Sequence, residues 1–75
     1  MPPEHATVER KARAFRVLPV PAQRRAIRQS GGLSQGDLAV DLGVTRAAVS
    51  RWETGDRTPR GDLLVAYAEL LERLR

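Results

Sequence analysis

The side chains able to do chemistry in this chain are overwhelmingly guanidinium groups. Of thirteen Lys and Arg residues only Lys11 is a lysine, and nine acids leave a formal charge of +4. An arginine presents a rigid planar fork of donors that matches phosphate oxygens and the O6/N7 edge of guanine, so this balance favours polyanion partners. Other chemistries lack their parts. With no cysteine and a single histidine, His5, neither a metal cluster nor a His-based catalytic network can be assembled. No carboxylate pair, glycine-rich phosphate loop or nucleophile with a base partner is present either. An enzyme is therefore not expected, and neither is a metal or cofactor.

The cations are unevenly placed. Residues 1–28 hold Arg10, Lys11, Arg13, Arg16, Arg24, Arg25 and Arg28 against Glu4 and Glu9, whereas acids slightly outnumber bases in the remainder. The expectation is that positive charge acts mainly from this N-terminal third, adding non-specific affinity for a polyanion.

Such groups need a scaffold, and 75 residues allow one small domain with a marginal core. Prolines at 2, 3, 19, 21 and 59 leave Ala22 to Thr58 free of the strongest helix breaker. Pro19 and Pro21 stiffen a junction taken as the boundary between an N-terminal segment, 1–20, and a main domain, 21–75. A first helix is predicted over Pro21 to Ser30, stopping at Gly31-Gly32, with Ala22, Ala26 and Ile27 inward and Gln23, Arg24, Arg25 and Gln29 outward. Ser34 reads as the N-cap of a second helix, Gln35 to Leu42, with Asp37 as acidic partner and Gly43 as its stop. Thr45 caps a third, Arg46 to Thr54, whose inward residues are Ala48, Val49 and Trp52. Beyond the turn at Gly55 to Pro59, residues 61–75 carry Leu63, Tyr67, Leu70 and Leu74 at helical spacing, widened by Leu64 and Leu71.

No strand alternation, repeat or low-complexity tract competes, so an all-α bundle of four to five short helices is predicted. The first segment is open: Val8, Ala12, Phe15 and Leu18 fit one side of an amphipathic helix, and a basic disordered tail fits as well. Residues 1–16 contain no uninterrupted apolar run of the kind a signal peptide or membrane span requires, so a cytoplasmic, nucleoid-associated protein is expected.

Ala39 and Gly43 are small where two helices joined by a tight turn must touch, and Leu38, Leu42, Val44, Val49 and Trp52 seal them from behind. At these residues the chain resembles the phage repressor and Cro (XRE-type) helix-turn-helix family. The resemblance rests on Gln35-x-x-Leu38-Ala39-x-x-Leu42-Gly43-Val44-Thr45-x-x-x-Val49-Ser50-x-Trp52-Glu53-x-Gly55-x-Arg57-x-Pro59. It extends from Arg28 to the last helix and leaves residues 1–20 outside it.

The resemblance implies a lambda repressor-like fold that docks the helix after Thr45 in the major groove of double-stranded DNA. It places Arg46, Ala47, Ser50 and Arg51 where base-reading side chains sit, and the two arginines could each fork onto guanine. Ser34, Gln35, Thr45 and Arg57 fall at expected phosphate contacts. Arg28 and Glu53 resemble the family's internal ion pair, and Trp52 reads as core. Binding as a homodimer, at least on DNA, is implied as well, and the apolar surplus of the last helix could pack on a second copy or be consumed by the core. The expected function is a repressor-like transcription regulator. The alternative is a protein-interaction module, such as an antitoxin or recombination accessory factor, whose partner binds the helices or the N-terminal segment.

Overall fold

The computed structural model describes residues 6–75, so His5 and the prolines before it lie outside the described residues. Five helices follow one another, α1 (Val8–Val17), α2 (Pro21–Ser30), α3 (Gln35–Leu42), α4 (Arg46–Thr54) and α5 (Gly61–Leu74), with no strand among the described residues. The all-α helix-turn-helix bundle is thus the fold.

The ends of these helices follow from local chemistry. Thr7, Ser34 and Thr45 sit in extended backbone and accept the N–H of the residue three further on, which satisfies one of the orphan donors of a first turn. At Ser34 the box closes in both directions, since the Asp37 carboxylate accepts the Ser34 N–H at 2.8 Å. Pro21 needs no donor at the first position of α2. Gly43 ends α3 in the left-handed region at φ 70°, where a side chain would be strained, and Val44 N–H then reaches back to the Ala39 carbonyl at 2.9 Å. Gly55 closes α4 in the same way at φ 83°, and a Cβ there would also press on Pro21 Cγ at 3.2 Å.

The main core joins Leu38, Ala39 and Leu42 of α3, Val49 and Trp52 of α4, and Tyr67, Leu70 and Leu71 of α5. Burial of each large apolar side chain contributes about 1.5–3 kcal/mol against the cost of chain ordering. Trp52 and Tyr67 tilt against each other with ring centroids 4.8 Å apart. The Tyr67 hydroxyl is buried without a hydrogen-bond partner among the described residues, and burial pushes its pKa up to about 12.

A second cluster places α1 on α5, where Ala6 and Ala14 pack with Leu64, Val65 and Ala68. Here the structure corrects the expected α1 stripe. Val8 and Phe15 are 81% and 78% exposed, and the packed side instead runs through Ala6, Arg10, Ala14 and Leu18, one residue per turn. Small Ala14 lets the two helix axes approach, and polar pairs flank it: Arg10 on Glu69, Arg13 on Glu72 and Lys11 on Asp62. A maximal apolar stripe is beaten by a register that satisfies three charges at once. This seam also absorbs the apolar surplus of α5, because Leu64, Val65 and Ala68 face α1 while Tyr67, Leu70 and Leu71 face the main core.

Candidate nucleic-acid interface

The turn Gly43-Val44-Thr45 sets α4 across α3, and the burial of α4 divides its residues into two faces. Val49, Trp52 and Glu53 are buried, while Arg46, Ala47 and Arg51 are exposed and Ser50 is half-buried. Positions 46, 47, 50 and 51 repeat at the spacing of one helix face. Neither arginine has an acid within ion-pair distance among the described residues, so both forks are available to a ligand.

The buried side of α4 is locked electrostatically. Arg28 donates from Nε and Nη2 to the two Glu53 carboxylate oxygens at 2.6 and 2.9 Å, and from Nη1 to the Leu33 carbonyl at 2.8 Å. Gln35 Nε2 donates to Glu53 Oε1 at 3.1 Å. Burial pushes the Glu53 carboxyl up, but the hydrogen bonds from Arg28 and Gln35 and the charges of Arg28 and Arg25 outweigh it and hold the group below its ordinary value. The Arg28 guanidinium is raised in turn, chiefly by its bond to Glu53.

The residues expected at phosphates occupy helix ends. Ser34 and Thr45 engage their hydroxyls in capping, and the Gln35 amide is engaged by Glu53. What these positions leave for a ligand is therefore backbone: the N–H groups at the first two positions of α3 and α4, which have no intrahelical acceptor and sit at the positive end of a helix dipole, since those of Asp37 and Ala48 are taken by the capping hydroxyls. Arg57 is exposed, and its own N–H is tied to the Arg51 carbonyl at 3.2 Å. The loop after α4 thereby holds Arg57 in fixed relation to Arg51. No group of three His, Asp or Glu side chains among the described residues could hold a metal ion.

Two expectations need correction. Arg24 faces inward, only 7% exposed, donating from Nε to the Pro19 carbonyl at 2.7 Å and from Nη1 to the Trp52 carbonyl at 3.0 Å. Ala22 and Ala26 are exposed instead. The inward face of α2 is thus Arg24, Ile27 and Arg28, at a spacing that hydrophobicity alone could not reveal because two of the three residues are charged. An i, i+4 pair of arginines preceding a buried acid was the signal available. The charge surplus of residues 1–28 is also mostly committed internally, with Arg10, Lys11, Arg13 and Arg28 paired to acids and Arg24 buried. Exposed cations with no acid in ion-pair distance among the described residues lie instead at Arg46, Arg51, Arg57, Arg60, Arg73 and Arg75, with Arg16 and Arg25 remaining from the first third.

A family model described as helix-turn-helix matches residues 25–73, which include α3, α4 and almost all of α5. No curated protein and no solved structure matches the chain. Among the described residues no helix is long and apolar enough to cross a membrane.

Proposed function

The chain belongs to the XRE-type helix-turn-helix DNA-binding family, and from that premise we propose that it is a repressor-like transcription regulator reading double-stranded DNA sequence through α4. Arg46, Ala47, Ser50 and Arg51 contact base edges, with the arginines on guanine and Ala47 against a thymine methyl. The N-terminal turns at Ser34, Gln35 and Thr45, together with Arg57, take phosphates and set the register without reading sequence. The carrying observation is the pair of guanidiniums, without an acid partner among the described residues, on the exposed face of a helix whose other face is locked by Trp52 and the Arg28–Glu53 pair. Sequence reading is assigned to residues 21–75, and residues 1–20 support them. Action at the nucleoid in the cytoplasm goes with this role.

Because the apolar residues of α5 are consumed within the chain, a homodimer is proposed on DNA, where two half-sites about 34 Å apart would seat two copies. The test is a gel shift on a duplex enriched from a random library. Arg46→Ala with Arg51→Ala should abolish the preference for that duplex over a scrambled one. An unchanged preference removes the readout from these residues.

A second reading, a protein-interaction module of the antitoxin or recombination-accessory kind, draws on Val8 and Phe15, large apolar groups on the outward side of α1. It requires weak and salt-insensitive DNA affinity. A steep fall in affinity from low to moderate salt, the mark of counterion release, counts against it.

A further inference from the structure

We infer that Arg24 is a positioning residue for DNA readout, its guanidinium tying the C-terminal turn of α4 to the α1–α2 junction and so setting the angle at which α4 presents Arg46 and Arg51. The inference rests on the reading of α4 given above.

Arg24 is an expensive residue to place where it stands. It is buried, and no carboxylate lies within ion-pair distance of it among the described residues. A charge without a counter-ion in such surroundings costs more than any apolar side chain would. Burial indeed lowers its pKa, though a guanidinium stays protonated. What an apolar residue could not supply is direction. Nε and Nη1 point to carbonyls of two separate segments, Pro19 between α1 and α2 and Trp52 in the last turn of α4. Carbonyls of a last helical turn lack intrahelical donors and lie at the negative end of the dipole, so a cation is matched there.

A second arginine on α2 completes the hold. Arg28 stands one turn further along α2 and grips the side chain of Glu53, the residue next to Trp52. Apolar packing of Val49 and Trp52 is non-directional, and a single polar attachment pins α4 to α2 at one point only. Two attachments, at consecutive residues of α4 and from consecutive turns of α2, define both its rotation and its tilt. Arg24 also links that orientation to the segment in which α1 ends.

The test compares Arg24→Met and Arg24→Lys with the wild type on two duplexes, one enriched by the wild type from a random library and a scrambled one of equal composition. Arg24→Met should lose about tenfold on the enriched duplex, the worth of one bidentate base contact, and less than about twofold on the scrambled one, where phosphate contacts dominate. Arg24→Lys, able to reach one carbonyl, should recover part of the loss. The carbonyl carbon resonance of Trp52, the only tryptophan, should shift in Arg24→Met while the helical circular dichroism is kept. Equal losses on both duplexes, no recovery with lysine and an unmoved Trp52 carbonyl would overturn the inference. Should the variants not fold, slow exchange of the Arg24 Nε–H in the wild type supports the tie, and exchange at the rate of a free guanidinium refutes it. If the wild type enriches no duplex, it is the reading of α4 that fails, and the Trp52 and Arg24 resonances still decide whether the tie exists.

Discussion

Two seams in this molecule are built from the same chemical parts and differ in what those parts do. Between α2 and α4, Arg28 meets Glu53 with side-chain exposures of 9% and 2%; between α1 and α5, Arg10 meets Glu69 with exposures of 42% and 34%. Both pairs are bidentate, with distances of 2.6–2.9 Å in the first and 2.7–3.1 Å in the second. The difference is water. At the outer seam solvent screens the attraction and replaces a lost partner, so the pair orients α1 on α5 with little net energy. At the inner seam the desolvation of both ions is already incurred, and each depends on the other for compensation. Geometry alone would rank the two as equals, whereas burial separates them.

The sharpest way to test that contrast is to remove one partner on the inside. Glu53→Leu leaves Arg28 buried without its acid and should cost about 3–5 kcal/mol in urea unfolding, and pairing it with Arg28→Met should recover much of that. A single-variant loss below about 1 kcal/mol would erase the distinction between the seams. Acid should act on the same pair. Glu53 in the folded protein titrates below its ordinary value of 4.5, so the unfolded chain takes up the proton first. The contribution is complete above that ordinary value and is lost as pH falls through the depressed one. Unfolding followed down in pH should show a larger loss in the wild type than in the doubly substituted protein, where only groups such as Asp37 and Glu69, also held below their ordinary values, still contribute. Tyr67→Phe probes the inside with the opposite sign: removing a buried hydroxyl that has no partner among the described residues should leave stability unchanged or raise it by about 1 kcal/mol. A clear loss would mean that the hydroxyl is satisfied in solution. Smallest of all, Arg10→Gln should cost about 1 kcal/mol or less, shrinking further at high salt. A cost rivalling that of Glu53→Leu would make the outer seam the equal of the inner one.

Much of the architecture was legible in local chemistry. The bounds of α2 and α3 follow from Pro21, the Ser34–Asp37 box and the left-handed Gly43, and α4 from Thr45 and Gly55, because caps and stops act within four residues. The inward set of α4, Val49 and Trp52, was legible for the same reason. The face of α1 was not. Its most hydrophobic stripe, through Val8 and Phe15, lies outward, since the choice was made by acids on α5 some sixty residues away in sequence. Arg24 was misread on the same ground, as a charged residue is expected at the surface unless its partners are known, and these are backbone carbonyls that carry no sequence signal.

By itself, then, the sequence determined the four helices from α2 to α5, the helix-turn-helix and the identity of the residues that α4 turns outward, all of which depend on periodicity and capping, while it left the segment of α1 open between a helix and a tail. Only the tertiary structure decided which charges remain for a partner. Arginine reads identically in sequence whether it lies against a carboxylate, a carbonyl or water. Packing buried Arg24 and Arg28, paired Arg10, Lys11 and Arg13 with acids on α5, and left Arg46, Arg51 and Arg57 exposed, because desolvation and distance, which fix the availability of a charge, exist only in the folded chain.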